Sequence, residues 1–231
     1  MSPEASTADQ IGCSFAPPGG PCLALAASYD MGYTYVDRMT VSIFHDLPPD
    51  ELHFHWKSGR PCLDFVATVG ERWRRSFERL LAPEDLARWL VESGMLAEPP
   101  PVSGRQLEAG RALREAINRL ARPGIEPQPG DRAELNRWAA RAPLAPQLGD
   151  HGELVWVSEQ PVEAMFATIG RDAVDLLTGP LAERVRECGA PDCALLFVDT
   201  SRPGRRRWCS GEACGNRTRT KAYRQRRKER A

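Results

Sequence analysis

Four cysteines near the carboxyl end, Cys188, Cys193, Cys209 and Cys214, carry the strongest chemical signal in this chain of 231 residues. They are spaced C-x4-C, then 15 residues, then C-x4-C. Zinc takes about four soft ligands in a tetrahedron, and two close pairs on two short loops supply them with a single long-range contact. Gaps of four residues lie at the wide end of usual ligand spacing, so the pattern is weaker than C-x2-C twice would be. Two disulfides, a catalytic zinc and free structural thiols compete with a structural zinc. Disulfides suit export, and the first 20 residues hold Glu4 and Asp9 with no Lys or Arg, the wrong start for a secretory signal. A catalytic zinc keeps an open position and normally recruits His or carboxylate; no His follows His151. Cys62, within an apolar run, reads as a small buried hydrophobe, and Cys13 and Cys22 as incidental. His53 and His55, flanking Phe54, read as ordinary loop residues.

The residues around the pairs must hold them together. Residues 195–198 read as a strand, 199–204 as a turn and 205–208 as a return strand, forming a hairpin with one cysteine pair at its mouth. The second pair leads straight into a helix. This arrangement describes a treble-clef-like finger whose few apolar residues are too little to fold it without metal. Along the helix, Arg217, Lys221, Arg224 and Lys228 share one face, while Arg219, Arg226, Arg227 and Arg230 broaden the positive surface. A helix of this diameter fits the major groove, where Arg meets phosphates and guanine edges. Arg205, Arg206 and Arg207 on the hairpin, with Arg202, would add phosphate contacts. Gly215 suits a tight turn out of the knuckle and Asn216 a helix cap. Trp208 and Tyr223 are expected to cover the small zinc core rather than stack on bases.

Net charge is zero, but it is divided unevenly. Residues 184–231 hold 14 basic and five acidic side chains, a net +9, which leaves 17 basic and 26 acidic ones, or −9, for the remainder. Four thiolates around a divalent ion would reduce the tail to about +7. An acidic body with a basic tail points to a polyanionic partner, nucleic acid ahead of an anionic membrane, although a charge run can also be a merely solvated face. Hydrophobic residues at 42% suffice for a core. No stretch approaches the roughly 18 to 20 apolar residues of a membrane span, so no membrane role and a cytoplasmic location are expected. No phosphate-binding glycine loop, GxSxG elbow or His–carboxylate cluster supports an enzyme.

Upstream, residues 1–51 contain APPGGP and DLPPDE and no sustained period. They read as a poorly ordered extension with a short alternating stretch at 39–44, and Met31 or Met39 could be the native start. Residues 62–69 read as a strand. Helices are expected from Pro83 to near Gly94, from a Ser103 cap to Pro123, over 131–141, over 162–177 with a break or kink near Gly170, and over 181–187; 154–157 reads as a short strand. The expected fold is α+β: a mostly helical domain with a few short strands over 52–180, then the finger and its basic helix over 181–231.

At the tail a family resemblance emerges. CGAPDCALLFVDTSRPGRRRWCSGEACGNRTRTKAYRQRRK resembles the CGNR zinc finger, whose tetrapeptide stands here as Cys214-Gly215-Asn216-Arg217, with further agreement at Phe197, Asp199, Ser201, Arg206, Arg207, Trp208, Tyr223 and Arg224. GRPCLDFVATVGER followed by LLAPEDLARWLVESGML resembles the ABATE-type domain that precedes this finger in bacterial stress-induced transcription regulators. Many relatives read LDFxNT; Ala67 occupies the asparagine's position here. The resemblance implies bound Zn2+ and, through the regulators, DNA binding. The expected function is a zinc-dependent DNA-binding regulator. A single reading helix binds weakly, so the acidic domain is expected to dimerise, to bind a small effector, or both. The alternative is a zinc-stabilised module that binds RNA, the ribosome or an acidic protein surface.

Overall fold

A computed structural model describes residues 52–230; the readings made for residues 1–51 lie outside the described residues. The fold is α+β, with a helical body followed by a cysteine-rich finger and a terminal helix. The first element is a helix, α1 (Pro61–Val66), where a strand was expected. A short apolar run fits either period. Pro61 opens the first turn, and the Asp172 carboxylate accepts the Cys62 N–H at 2.9 Å, satisfying a donor that a helix start leaves orphaned. A two-residue hairpin follows, β1 (Val69–Gly70) against β2 (Phe77–Glu78).

The next helices follow their end signals. Pro83 begins α2 (Pro83–Glu92), and Asp85 accepts the Ala82 N–H at 3.0 Å. Ser103 caps α3 (Gly104–Ala121), accepting from Gln106 N while Gln106 Oε1 accepts from Ser103 N. α4 (Asp131–Ala139) leads to the hairpin of β3 (Ala145–Leu148) and β4 (Leu154–Val157). α5 (Pro161–Thr178) is continuous where a break was expected. Gly170 serves close packing instead: a Cβ there would lie 3.1 Å from Ala139 N. Phe65 meets Trp89 at 5.0 Å and Trp138 meets Phe166 at 4.8 Å between ring centroids, knitting α1, α2, α4 and α5 into one core. Among the described residues, no helix is long and apolar enough to cross a membrane.

The expected helix over 181–187 is instead a 3-10 turn (Ala182–Arg184) and a strand, β5 (Val185–Glu187), which pairs antiparallel with β6 (Leu196–Val198). The return strand expected at 205–208 does not form: β6 pairs with β5, and Arg207 O accepts from Gly189 N of the first knuckle. Alternation along β6 then joins two cores. Leu196 and Val198 enter the body's core while Phe197, fully buried, enters the finger's, beside Ala67, Cys188, Cys209 and Cys214. Arg122, 3% exposed, strengthens the joint: it donates to Ala194 O, and its Nη1 lies 2.7 Å from Glu187 Oε2, in ion-pair contact although not aligned for a hydrogen bond.

Candidate metal centre and basic helix

β5 and β6 set the first knuckle. Cys188 follows β5 directly; its N–H donates to Leu195 O at 2.9 Å, and Cys193 N donates to Ala190 O at 3.1 Å, folding the intervening residues into a tight loop. The second knuckle is a π-helical turn (Gly211–Gly215) in which Ser210 Oγ accepts from Ala213 N at 3.1 Å. It runs directly into α6 (Asn216–Lys228). The two knuckles are tied by Gly189 N donating to Arg207 O at 2.9 Å.

The four sulfurs all lie within 4.8 Å of one another, with Cys193 Sγ to Cys209 Sγ at 3.9 Å and Cys209 Sγ to Cys214 Sγ at 3.5 Å. A tetrahedron with metal–sulfur bonds of about 2.3 Å has edges of about 3.8 Å, so the donor set fits a thiophilic divalent ion. Cys188, Cys209 and Cys214 are buried and Cys193 is partly exposed. Cys209 N donates to Cys188 Sγ at 3.5 Å and Arg217 Nη2 to Cys214 Sγ at 3.4 Å, so two of the sulfurs accept hydrogen bonds from outside the cluster. Without a cation the thiols must share protons. Hydrogen bonds from Cys193 and Cys209 pull the Cys188 thiol well below its ordinary value, while its bond to Cys188 pushes Cys193 up. Cys209 is raised by hydrogen bonding to Cys188 and Cys193 and by burial. Ionising all four sulfurs at this spacing would require a cation among them.

Asp199, fully buried, organises the loop between the pairs: it accepts from Ser201 N at 2.9 Å, Ser201 Oγ at 2.5 Å and Arg206 N at 2.8 Å. Arg206 was expected to contact phosphates. Its guanidinium instead turns inward, donating to Trp208 O at 2.8 Å and to Cys209 O, and stacking 4.7 Å from the Phe197 centroid. Arg205 and Arg207 remain exposed, the latter 5.0 Å from the Trp208 ring centroid.

The cations of α6 divide likewise. Arg217 and Lys221, at the head of the face expected to meet nucleic acid, pair with Asp192 of the first knuckle at 3.0 and 2.9 Å. Arg219 donates to Asn216 Oδ1 at 2.5 Å and Gly211 O at 3.3 Å. Arg224, Arg226, Arg227 and Lys228 are exposed and without a partner among the described residues. Trp208 packs on the finger core as expected, but Tyr223 is 61% exposed and covers nothing, since the helix has by then left the knuckle. Asn216 is not the cap: it is already helical at φ −63°, and Ser210 performs the capping one turn earlier. Gly215 has an ordinary helical φ of −64°; its lack of a side chain matters because a Cβ would sit 3.1 Å from Trp208 Cδ1. The sequence reading overlooked Asp192, although a lone acid between two cysteines of a basic segment is a visible signal. Ala67 is buried in the finger core, so a small apolar side chain fills the position where many relatives carry asparagine.

Comparison with known families gives two matches. A model named ABATE, described as "Putative stress-induced transcription regulator", matches residues 59–180, and a model named CGNR zinc finger matches residues 184–227. No curated protein matches the chain.

Proposed function

Because the chain belongs to the ABATE family and carries a CGNR finger after that region, we propose that it is a zinc-dependent transcriptional regulator that binds duplex DNA through α6. The observation that carries this reading is the join between site and helix: the turn holding Cys214 continues without a break into α6, whose far half bears four exposed cations without partners. Zn2+ held by Cys188, Cys193, Cys209 and Cys214 supplies no chemistry beyond cross-linking, since four sulfurs fill its shell and leave no position for substrate. The role is therefore binding rather than catalysis, in a reducing cytoplasm that keeps the thiols available.

Arg205, Arg207, Arg219, Arg224, Arg227 and Lys228 form the contact set, with Arg206 assigned to holding the knuckle. About six neutralised phosphates give a slope near −5 for log affinity against log salt. Fluorescence anisotropy of a labelled duplex across a salt series tests this, and a flat dependence would overturn it. A single helix reads few bases, so a homodimer or an effector-bound body would supply the remaining specificity. One observation favours a second reading, an RNA partner: Tyr223 presents an exposed ring among the cations, the arrangement that stacks on unpaired bases. Crosslinking the tagged protein in cells and sequencing both DNA and RNA separates the two, with enriched promoters supporting the first and enriched transcripts the second.

A further inference from the structure

Two surface clefts meet at Lys57. One, of about 500 Å³, lies against the second knuckle and is lined by Lys57, Arg206, Ser210 and Arg219. The other, of about 610 Å³, lies between the β1–β2 loop and the first knuckle; its lining includes the cations Lys57, Arg74, Arg75 and Arg217 and the acids Glu71 and Asp192, with Arg79 buried beneath. A cationic path therefore runs from Arg74 on the body, past Lys57, to Arg219 on the finger. Its body end, with Lys57 and Arg74, lies within residues 1–183, whose net charge is −9 with these cations counted, so this edge of an acidic body is locally basic. Lys57 is exposed and the Arg74 side chain 61% exposed, its nearest carboxylate, Glu71, at 3.6 Å and already paired with Arg75 at 2.6 Å.

The loop over 71–76 adds an aromatic ring. Trp73 is 63% exposed yet pinned: Nε1 donates to Glu187 Oε1 at 2.5 Å, and the Arg122 guanidinium lies 4.9 Å from its ring centroid. One face is occupied by Arg122 and the ring remains mostly open to solvent. A ring fixed in this way has surrendered its freedom before any partner arrives. Glu71 and Ser76, at φ 43° and 47°, occupy the left-handed region that non-glycine residues seldom adopt, and strain of this kind clusters at binding sites.

We infer that the β1–β2 loop and Lys57 form a second DNA contact, in which Lys57 and Arg74 hold phosphates of the backbone flanking the groove engaged by α6 and the Trp73 ring packs on the adjoining sugars. The inference rests on the DNA-binding reading and extends it to the body, whose own charge would otherwise repel the duplex. The contact fixes the body's orientation on DNA through backbone positioning, not base readout.

The test uses the full-length, zinc-loaded chain and a mixed-sequence duplex, measured by anisotropy over a range of salt. The Lys57→Ala/Arg74→Ala variant is expected to flatten the log–log salt slope by about 2 and weaken binding on the order of tenfold, with melting temperature and zinc content unchanged. Trp73→Ala should weaken binding and Trp73→Phe restore most of it. If the Lys57/Arg74 variant binds as the parent does while Arg224→Ala/Arg227→Ala is impaired, the second contact is overturned and the proposed function stands. If the parent itself fails to bind duplex at low salt, both fall.

Discussion

Three consecutive arginines, 205 to 207, show how far a side chain's role depends on where the backbone aims it. Arg206 points at the knuckle carbonyls and the Phe197 face, while its neighbours point at solvent. Truncating Arg206 leaves two part-buried carbonyls without this donor, so Arg206→Ala is expected to lower stability by about 1 to 3 kcal/mol, read as a lower melting temperature. Arg224→Ala, on the exposed half of α6, should change stability by less than about 0.5 kcal/mol and reduce the DNA salt slope by about 1. Equal destabilisation by both variants would show that α6 is not the free surface described above. The four cysteines were legible because their types and spacing name the chemistry. Arg206 was not, because its partners are backbone atoms whose positions depend on the Asp199-centred loop. Tyr223 was misread for a related reason: helical periodicity places a residue on a face but does not say where the helix leaves the core.

At the level of elements, α2, α3 and β4 could be read from local signals, a first-turn proline, a Ser103–Gln106 capping box and the run Leu154–Val157. The pairing of β5 with β6 could not, since it depends on a contact across the first cysteine loop and on a body core that receives Val185, Leu196 and Val198. Charges buried between elements were equally hidden. Glu115 on α3 is only 19% exposed, and burial alone would raise its pKa; Arg72 at 2.7 Å and Arg114 at 2.9 Å overcome that and hold it at about 2. Its folded value lies below its ordinary value of 4.5. The stabilisation is therefore present above about 4.5 and is lost as pH falls toward about 2, because the unfolded chain binds the proton first. Urea unfolding at stepped pH should show this decline in the parent. Glu115→Gln should be less stable at neutral pH by about 3 kcal/mol, having left the Arg72 guanidinium without its carboxylate while Arg114 keeps Glu78 at 2.6 Å, and should show a weaker decline over the same window. A Gln variant as stable as the parent would contradict this assignment.

Across the whole molecule, the finger is not an independent bead on a string. β6 contributes Leu196 and Val198 to the body and Phe197 to the finger, and Val198 N donates to Ser58 O at 2.8 Å. Removing the metal should therefore loosen the knuckles and α6 while leaving the β5–β6 ladder in place. Hydrogen exchange with and without chelator should show protection lost over 188–193 and 205–228 but kept over 196–198; loss of protection throughout the body would instead make the metal a determinant of the entire fold. All of this depends on the ion at the centre of the sulfur cluster. Zinc K-edge X-ray absorption of natively purified protein tests it most directly. The account predicts a stoichiometric zinc edge with four sulfur scatterers at about 2.3 Å; an absent edge, or a first shell containing oxygen or nitrogen, would contradict it.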